Sequence, residues 1–221
     1  MQKIWDQVDD YFVSQLIPAD TVMDAALADS AAAGMPPIQV TPALGKFLFL
    51  LAQVSGARRV LEIGTLGGYS TIWMARALPP EGRLISLEIN AAHAQVARGN
   101  LARAGVDDRT EVWVAPAAHS LARLAADHVA PFDLVFIDAD KINSEVYFDA
   151  SLRLSRVGTI IVVDNVVREG AVVNAESTDD NVIGIRRLAE RVAQEKRVDA
   201  VALQTVGSKG YDGFLIARVV S

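Results

Sequence analysis

The sequence predicts an α/β fold: a doubly wound, seven-stranded, mostly parallel sheet that ends in a C-terminal antiparallel hairpin. Short runs rich in Val, Ile and Leu are mostly continuous rather than alternating, as in strands covered on both faces. Helical stretches separate these runs, and this alternation is typical of a parallel sheet. The last two runs are joined by a glycine-rich turn with no helix between them, which predicts the hairpin.

The predicted elements follow one another in this order along the chain. The five strands of the parallel part are RRVLEI (58–63), RLISLE (83–88), TEVWV (110–114), FDLVFI (132–137) and TIIVVD (159–164). Helix formers with helical spacing occupy YSTIWMARAL (69–78), AAHAQVARGNLARAG (91–105) and SLARLAADH (120–128). The hairpin consists of RVDAVALQTV (197–206) and GFLIARVV (213–220) around the turn GSKGYDG.

The first 56 residues have helical patterns and no predicted strand. Pro36, Pro37 and Pro42 interrupt the helical pattern, so we expect a loop between two helices. This loop is placed over the carboxyl end of the sheet, as a lid. The chain is therefore predicted to be one domain, 1–221, with a helical cap at 1–56 and a Rossmann-like core at 57–221.

Composition restricts the compartment and the partners. The chain has no cysteine, so disulfides and thiolate metal sites are excluded. This composition fits a protein of a reducing compartment. The start, MQKIWDQVDDYF, lacks a secretory signal, and no apolar run approaches the roughly 20 residues of a membrane helix. The net charge of −6 argues against a nucleic acid as the main partner. We expect a cytoplasmic protein with no membrane partner.

A glycine-rich turn, in LEIGTLGGYS (61–70), follows the first predicted strand. Its glycines allow backbone N–H groups to approach a ligand closely, although any tight strand-to-helix turn favours glycine. Glu88 ends the second strand, where a carboxylate can accept hydrogen bonds from both hydroxyls of a ribose. Glu62 is expected to lie beneath the glycine-rich turn, where its carboxylate could hold the turn in place. Leu66 stands where an NAD-type G-x-G-x-x-G loop has its second glycine, so the spacing differs from that fingerprint.

Polar side chains also follow the fourth and fifth strands, in LVFIDADK (134–141) and IIVVDN (160–165). In a doubly wound sheet the carboxyl ends of neighbouring strands meet at one edge, so Asp138, Asp164 and Asn165 should converge. Three oxygen ligands without His or Cys suit a hard cation, Mg²⁺ first and Mn²⁺ or Ca²⁺ after it. Lys141 would lie beside that cation, where repulsion and burial favour its neutral form and a role as general base.

Together these motifs resemble those of the cation-dependent O-methyltransferases, the family that includes catechol and caffeoyl-CoA O-methyltransferases. The resemblance runs from IQVTP at 38 to the C-terminal YDGFLIARV, with VLEIGTLGGYS, LEIN, FIDADK and VVDN in order between them. The pair FIDADK and VVDN is the most specific part. Ser144 stands where the family usually has tyrosine, which argues against a plant-type acyl-CoA substrate.

The resemblance implies roles residue by residue. Asp138, Asp164 and Asn165 match the metal ligands, and Lys141 matches the base, with Asp138 sharing in catalysis. The residues that match the cofactor site are Val40, Glu62, Gly64, Gly68, Tyr69, Ser70, Glu88, Ala118, His119 and Asp138.

The resemblance also implies S-adenosylmethionine (SAM) as the cofactor, Mg²⁺, a hydroxylated aromatic small molecule as the substrate, and a homodimer. Two adjacent substrate hydroxyls would chelate the metal, and Lys141 would take a proton. The oxygen would then attack the sulfonium methyl group in line.

Three other functions remain open on the sequence alone. An NAD-dependent dehydrogenase would share the first strand, turn and acid, but it leaves Asp138, Asp164 and Asn165 without a common purpose. A methyltransferase of the same family could act on a modified RNA base if a dimer assembled a basic track. A cofactor-binding module without catalysis would bind SAM and turn over nothing.

Overall fold

Seven strands form one sheet in the computed structural model, which describes all 221 residues. The strands are β1 (Arg59–Ile63), β2 (Arg83–Glu88), β3 (Thr110–Val114), β4 (Phe132–Ile137), β5 (Ser155–Asp164), β6 (Val198–Gly207) and β7 (Gly210–Val219). Their order in the sheet is β3-β2-β1-β4-β5-β7-β6. β7 alone runs opposite to the other six strands, because the final hairpin returns the chain between β5 and the edge strand β6. The predicted fold class is confirmed.

Eight α-helices surround this sheet. They are α1 (Gln2–Leu16), α2 (Thr21–Ala32), α3 (Pro42–Val54), α4 (Tyr69–Ala77), α5 (Ala91–Arg103), α6 (Ala117–Ala126), α7 (Ser144–Arg153) and α8 (Asp180–Gln194). Short 3₁₀ helices span Asp107–Arg109, Lys141–Asn143 and Arg168–Val173. No helix in this fold combines the length and the apolar composition that a membrane crossing requires.

The continuous apolar pattern of the central strands has a direct packing cause. All six residues of β4 are buried. Leu134 and Phe136 join the apolar core on one face of the sheet, which includes residues of α3, α4 and α5. Val135 and Ile137 join the core on the other face, which includes residues of α6, α7 and α8. Because both faces are covered, the strand has no polar alternation.

Several predicted boundaries differ from the structure. β5 begins at Ser155, four residues before the predicted start, and the hairpin turn consists of two residues rather than seven. The turn is short because Gly207 pairs directly with Gly210, whose φ of 90° suits a tight hairpin. Pro42 is the first residue of α3, where the missing N–H costs nothing.

The strand order reverses between β1 and β4, and ligands of doubly wound sheets bind at the carboxyl ends next to such a reversal. Gly64 shapes this point. Its φ is 102°, and a Cβ there would lie 2.1 Å from the Asp138 carbonyl oxygen. The glycine therefore lets the loops after β1 and β4 approach backbone to backbone.

Replacing Gly64 with Ala is expected to lower the free energy of unfolding by about 2–5 kcal/mol, because overpacking adds to left-handed strain. Gly99, within α5, provides the matched control, since nothing lies within 4 Å of a Cβ placed there. Gly99→Ala should raise stability by about 0.5–1 kcal/mol, the helix propensity difference. Urea unfolding measures both variants. Equal stability of Gly64→Ala and the wild type would contradict the close backbone approach.

Candidate active site

A cavity of about 770 Å³ lies at the carboxyl ends of β1, β2 and β4. The loop between α2 and α3 forms part of its wall through Pro36, Ile38, Gln39 and Val40. This is the place where the sequence predicted a lid. The rest of the wall comes from the glycine loop, the start of α6 and the segments that follow β2, β4 and β5.

Glu62 supports the glycine loop from beneath. The residue is fully buried, and its carboxylate accepts hydrogen bonds from the hydroxyls of Ser70 (2.5 Å), Thr71 (2.5 Å) and Ser86 (2.6 Å). Burial raises the pKa of Glu62 to about 7, although the three hydroxyls act in the opposite direction. Glu62 thus ties the first turn of α4 to the strands below it.

Glu88 is buried at the end of β2 and lines the cavity. Its Oε2 accepts the backbone N–H groups of Thr65 (3.3 Å) and Leu66 (2.9 Å), and its Oε1 accepts that of Asn90 (2.8 Å). His93, in the first turn of α5, brings Nδ1 to 3.8 Å from Oε1. These donors hold the carboxylate in one orientation while lone pairs remain for a ligand in the cavity.

The prediction for Glu88 concerns ligand affinity. Glu88→Gln is expected to weaken SAM binding about 10- to 100-fold, since hydrogen bonds to a charged group contribute about 1.5–3 kcal/mol. Glu190→Gln removes an exposed carboxylate from α8 and serves as the control. Calorimetric titration reports both affinities directly. Unchanged affinity in Glu88→Gln would remove Glu88 from the cofactor site.

The segments after β4 and β5 bring an amine and two carboxylates together. β4 and β5 are paired in parallel register, with Ile137 opposite Val163, so the predicted adjacency of their ends is confirmed. Lys141 is buried and donates from Nζ to Asp138 Oδ1 at 2.8 Å. Burial and the charge of Asp138 raise the pKa of Asp164 to about 7. A second positive charge at this place would relieve that repulsion.

Asn165 has a left-handed backbone with a φ of 57°, a conformation that asparagine tolerates better than most residues. Its N–H donates to Asp164 Oδ1 at 2.8 Å. Asp212, on β7, holds the segment that follows by accepting the N–H groups of Val167 (2.9 Å) and Arg168 (3.0 Å). The sequence analysis missed Asp212, because its partners come together only through the hairpin.

The side chains at the ends of β4 and β5 provide oxygen atoms that could bind a metal. No group of three or more His, Cys, Asp or Glu side chains is arranged to hold an ion. The predicted set instead combines two carboxylates, Asp138 and Asp164, with the side-chain amide of Asn165. Oxygen donors alone are what Mg²⁺ and Ca²⁺ prefer, so these residues fit a hard divalent cation.

The structure places the predicted residues in two groups. The residues that line the cavity are Val40, Gly64, Tyr69, Ser70, Glu88, Ala118, Asp138, Lys141 and Asn165. Glu62 and Gly68 lie outside the lining and shape the loop, since Gly68 is the N-cap of α4 with a φ of 83°. His119 is exposed on α6 and does not line the cavity, whereas His93 does. Local sequence gave His93 no distinguishing signal, because it stands five residues after Glu88 and His119 likewise stands five residues after Val114.

A second cavity, of about 330 Å³, adjoins the first between the lid, α3 and the hairpin. Asp164 and Phe214 lie in its wall, and Asn165 is shared by both cavities. Lys209, in the hairpin turn, donates from Nζ to the carbonyls of Pro37 (3.1 Å) and Gln39. The hairpin therefore holds the lid loop, a link that local sequence patterns did not predict.

Tyr147 holds the loop that follows β4. It donates its hydroxyl to Asp140 at 2.6 Å, and burial raises the pKa of this tyrosine. Gly184 lets α8 pack against the backbone of Lys141, since a Cβ there would lie 2.2 Å from the Lys141 carbonyl oxygen. The lysine and the wall beside it are thus held by packing on two sides.

A glycine loop and a buried acid at the ends of β1 and β2 define a Rossmann-like site for a nucleotide-type cofactor. The comparison with protein families agrees. The family model described as O-methyltransferase matches residues 19–219. The chain belongs to this O-methyltransferase family and is an enzyme of that class.

Similar proteins cover almost the whole chain. A catechol O-methyltransferase of Mycobacterium tuberculosis is 52% identical over 96% of this chain and 94% of its own length. The structure of an O-methyltransferase from Bacillus cereus in complex with SAH has a TM-score of 0.98 and 52% identity, covering 99% of this chain and 100% of that one. TomG from Streptomyces achromogenes, in complex with SAM, has a TM-score of 0.97 and 45% identity, covering 100% and 99% of the two chains.

Proposed function

We propose that this chain is a SAM- and divalent-metal-dependent O-methyltransferase that methylates one hydroxyl of a catechol-like vicinal diol. One observation carries the proposal. Lys141, paired with Asp138 at 2.8 Å, lies in the same cavity as Asn165 and as the glycine loop with Glu88. A base, oxygen ligands and a nucleotide-type cofactor site thus open onto one space, as transfer of a methyl group to a hydroxyl requires.

The cofactor is assigned to the half of the cavity nearest β1 and β2. There Glu88 offers its carboxylate to the ribose hydroxyls, and exposed Ile89 with Ala118 offers an apolar surface beside the start of α6. The named complexes of the relatives with SAM and SAH support this assignment.

The cation is assigned to Asp138, Asp164 and Asn165. When bound, it supplies a positive charge that favours the ionised form of a substrate hydroxyl. Lys141 takes the proton at Nζ. The glycine loop and the lid loop exclude water and hold the acceptor oxygen in line with the methyl group, so positioning accounts for much of the rate.

The substrate class is tested by methyl transfer from SAM to a panel of catechols, with Mg²⁺ and with EDTA. We expect transfer with Mg²⁺ and loss of transfer with EDTA. The catechol name of the relative from Mycobacterium tuberculosis supports this choice of panel. Absence of transfer in both conditions, with SAM still bound in calorimetry, would overturn the catechol substrate and favour a nucleoside substrate or a silent binding module.

We also propose a homodimer, formed through α1 and the edge strand β6. α1 buries none of its residues and exposes Ile4, Tyr11, Phe12 and Leu16, and β6 is exposed along most of its length. Such an apolar surface is typical of a protein interface. Sedimentation should give twice the chain mass of 23.7 kDa. A monomer at every concentration would contradict the proposal.

The predicted cytoplasmic location stays a prediction.

A further inference from the structure

Arg168 is a cavity residue that the proposed reaction does not use. It lies three residues after Asn165, at the start of the 3₁₀ helix Arg168–Val173, and lines the larger cavity. Its backbone and that of Glu169 are left-handed, with φ values of 55° and 56°. Asp212 fixes this conformation by accepting the N–H of Arg168 at 3.0 Å.

The guanidinium group of Arg168 has donors without acceptors. Its Nε is buried and has no hydrogen-bond partner. The only carboxylate near it is Asp212, whose Oδ2 lies 3.9 Å from Nη1, beyond hydrogen-bond distance. The side chain keeps 30% of its surface exposed, so its head is within reach of the cavity. An arginine held in this way has the planar donor fork that matches a carboxylate.

Three other charged side chains of the cavity already have hydrogen-bond partners within the protein. Lys141 donates to Asp138, Asp140 accepts the hydroxyl of Tyr147, and Glu88 accepts backbone N–H groups. Arg168 is thus the cavity cation whose side chain makes no hydrogen bond. Arg168 follows the end of β5, whereas Glu88 ends β2, and β1 and β4 separate these two strands in the sheet. Arg168 therefore lies nearer the proposed metal ligands than Glu88 does.

We propose that Arg168 determines substrate specificity by binding a carboxylate on the aromatic substrate, at the end away from the two hydroxyls. The inference rests on the proposed function and extends it from catechols in general to catechols with an acidic side chain. The carboxylate would supply the acceptors that the guanidinium lacks, and burial in the cavity would strengthen the pairing.

The test compares 3,4-dihydroxycinnamate with its methyl ester, and 3,4-dihydroxybenzoate with its methyl ester, in the presence of Mg²⁺. In Arg168→Gln, kcat/KM for the acids should fall about 10- to 100-fold, and that for the esters should change less than about twofold. Arg153→Gln removes the same charge from the exposed end of α7, next to the amino end of β5, and should leave the ratio of acid to ester unchanged. Lys209→Gln tests the cation of the smaller cavity.

Each outcome decides between alternatives. An equal fall in kcat/KM for acids and esters in Arg168→Gln would make Arg168 a structural residue and overturn the inference. Unchanged kcat/KM values for both would also overturn it. Loss of the acid preference in Lys209→Gln alone would place the carboxylate in the smaller cavity and also overturn it. Turnover of the esters without acid preference in the wild type leaves the proposed function intact and overturns only the role of Arg168. Failure of every catechol overturns both.

Discussion

Replacing Asp164 with Asn is expected to reduce Mg²⁺-dependent methyl transfer about a thousandfold, because a bound metal contributes several kcal/mol of charge stabilisation. The substitution keeps the shape of a buried side chain and removes one of the two carboxylates in the proposed ligand set. SAM affinity should change little, since Asp164 faces the smaller cavity, away from Glu88. Turnover against Mg²⁺ concentration, together with calorimetry of SAM, measures both effects.

The control for this variant is Asp107→Asn, which removes an exposed carboxylate from the 3₁₀ helix Asp107–Arg109. It should keep the activity and the Mg²⁺ dependence of the wild type. If Asp164→Asn retained full activity at the same Mg²⁺ concentration, the assignment of the metal site to the ends of β4 and β5 would be wrong. A loss of activity that accompanied unfolding would be recognised by the urea transition of the same samples.

Replacing Lys141 with Gln should lower turnover about 100- to 10,000-fold, the range for loss of a general base. Lys141 is buried and points its Nζ at Asp138, so no other cation of the larger cavity is placed to substitute for it. The pH–rate profile provides a second readout. The pH–rate profile of the variant should differ in shape from that of the wild type, because the group proposed to accept the substrate proton has been removed.

Lys196→Gln is the matched control, because Lys196 is exposed after the end of α8. Its rate and pH profile should remain those of the wild type. A profile in Lys141→Gln with the same shape as in the wild type would exclude Lys141 as the base, even if the rate fell. Retention of SAM binding in this variant would locate the defect in the chemical step rather than in the cofactor site.

Much of the fold followed from local patterns. The continuous runs predicted β1 to β4 at or within a residue of their observed bounds, because burial on both faces leaves a signal inside each strand. The starts of α4 and α5 were also predicted to the residue, whereas α6 begins at Ala117, three residues before the predicted start. The segment between Val114 and the first predicted helical residue contains Pro116, which the structure uses as the N-cap.

Predictions from single residues were weaker than those from motifs. The resemblance placed His119 in the cofactor site, yet this residue is exposed. His93 instead lies in the cavity wall beside Glu88. Both histidines follow a strand by a few residues, so the local sequence does not distinguish them. The direction in which each helix presents its side chains decides which one reaches the cavity.

The sequence by itself determined the sheet class and the meeting of Asp138, Asp164 and Asn165 at one edge. This was possible because the carboxyl ends of parallel strands lie at the same edge of the sheet. Residues that follow two neighbouring strands in the sequence therefore meet at that edge. Only the tertiary structure decided that Lys209 holds the lid, that Asp212 shapes the segment after Asn165, and that the Arg168 guanidinium lacks an acceptor. These contacts join residues about 40 or more positions apart or depend on side-chain direction, and no local periodicity encodes either.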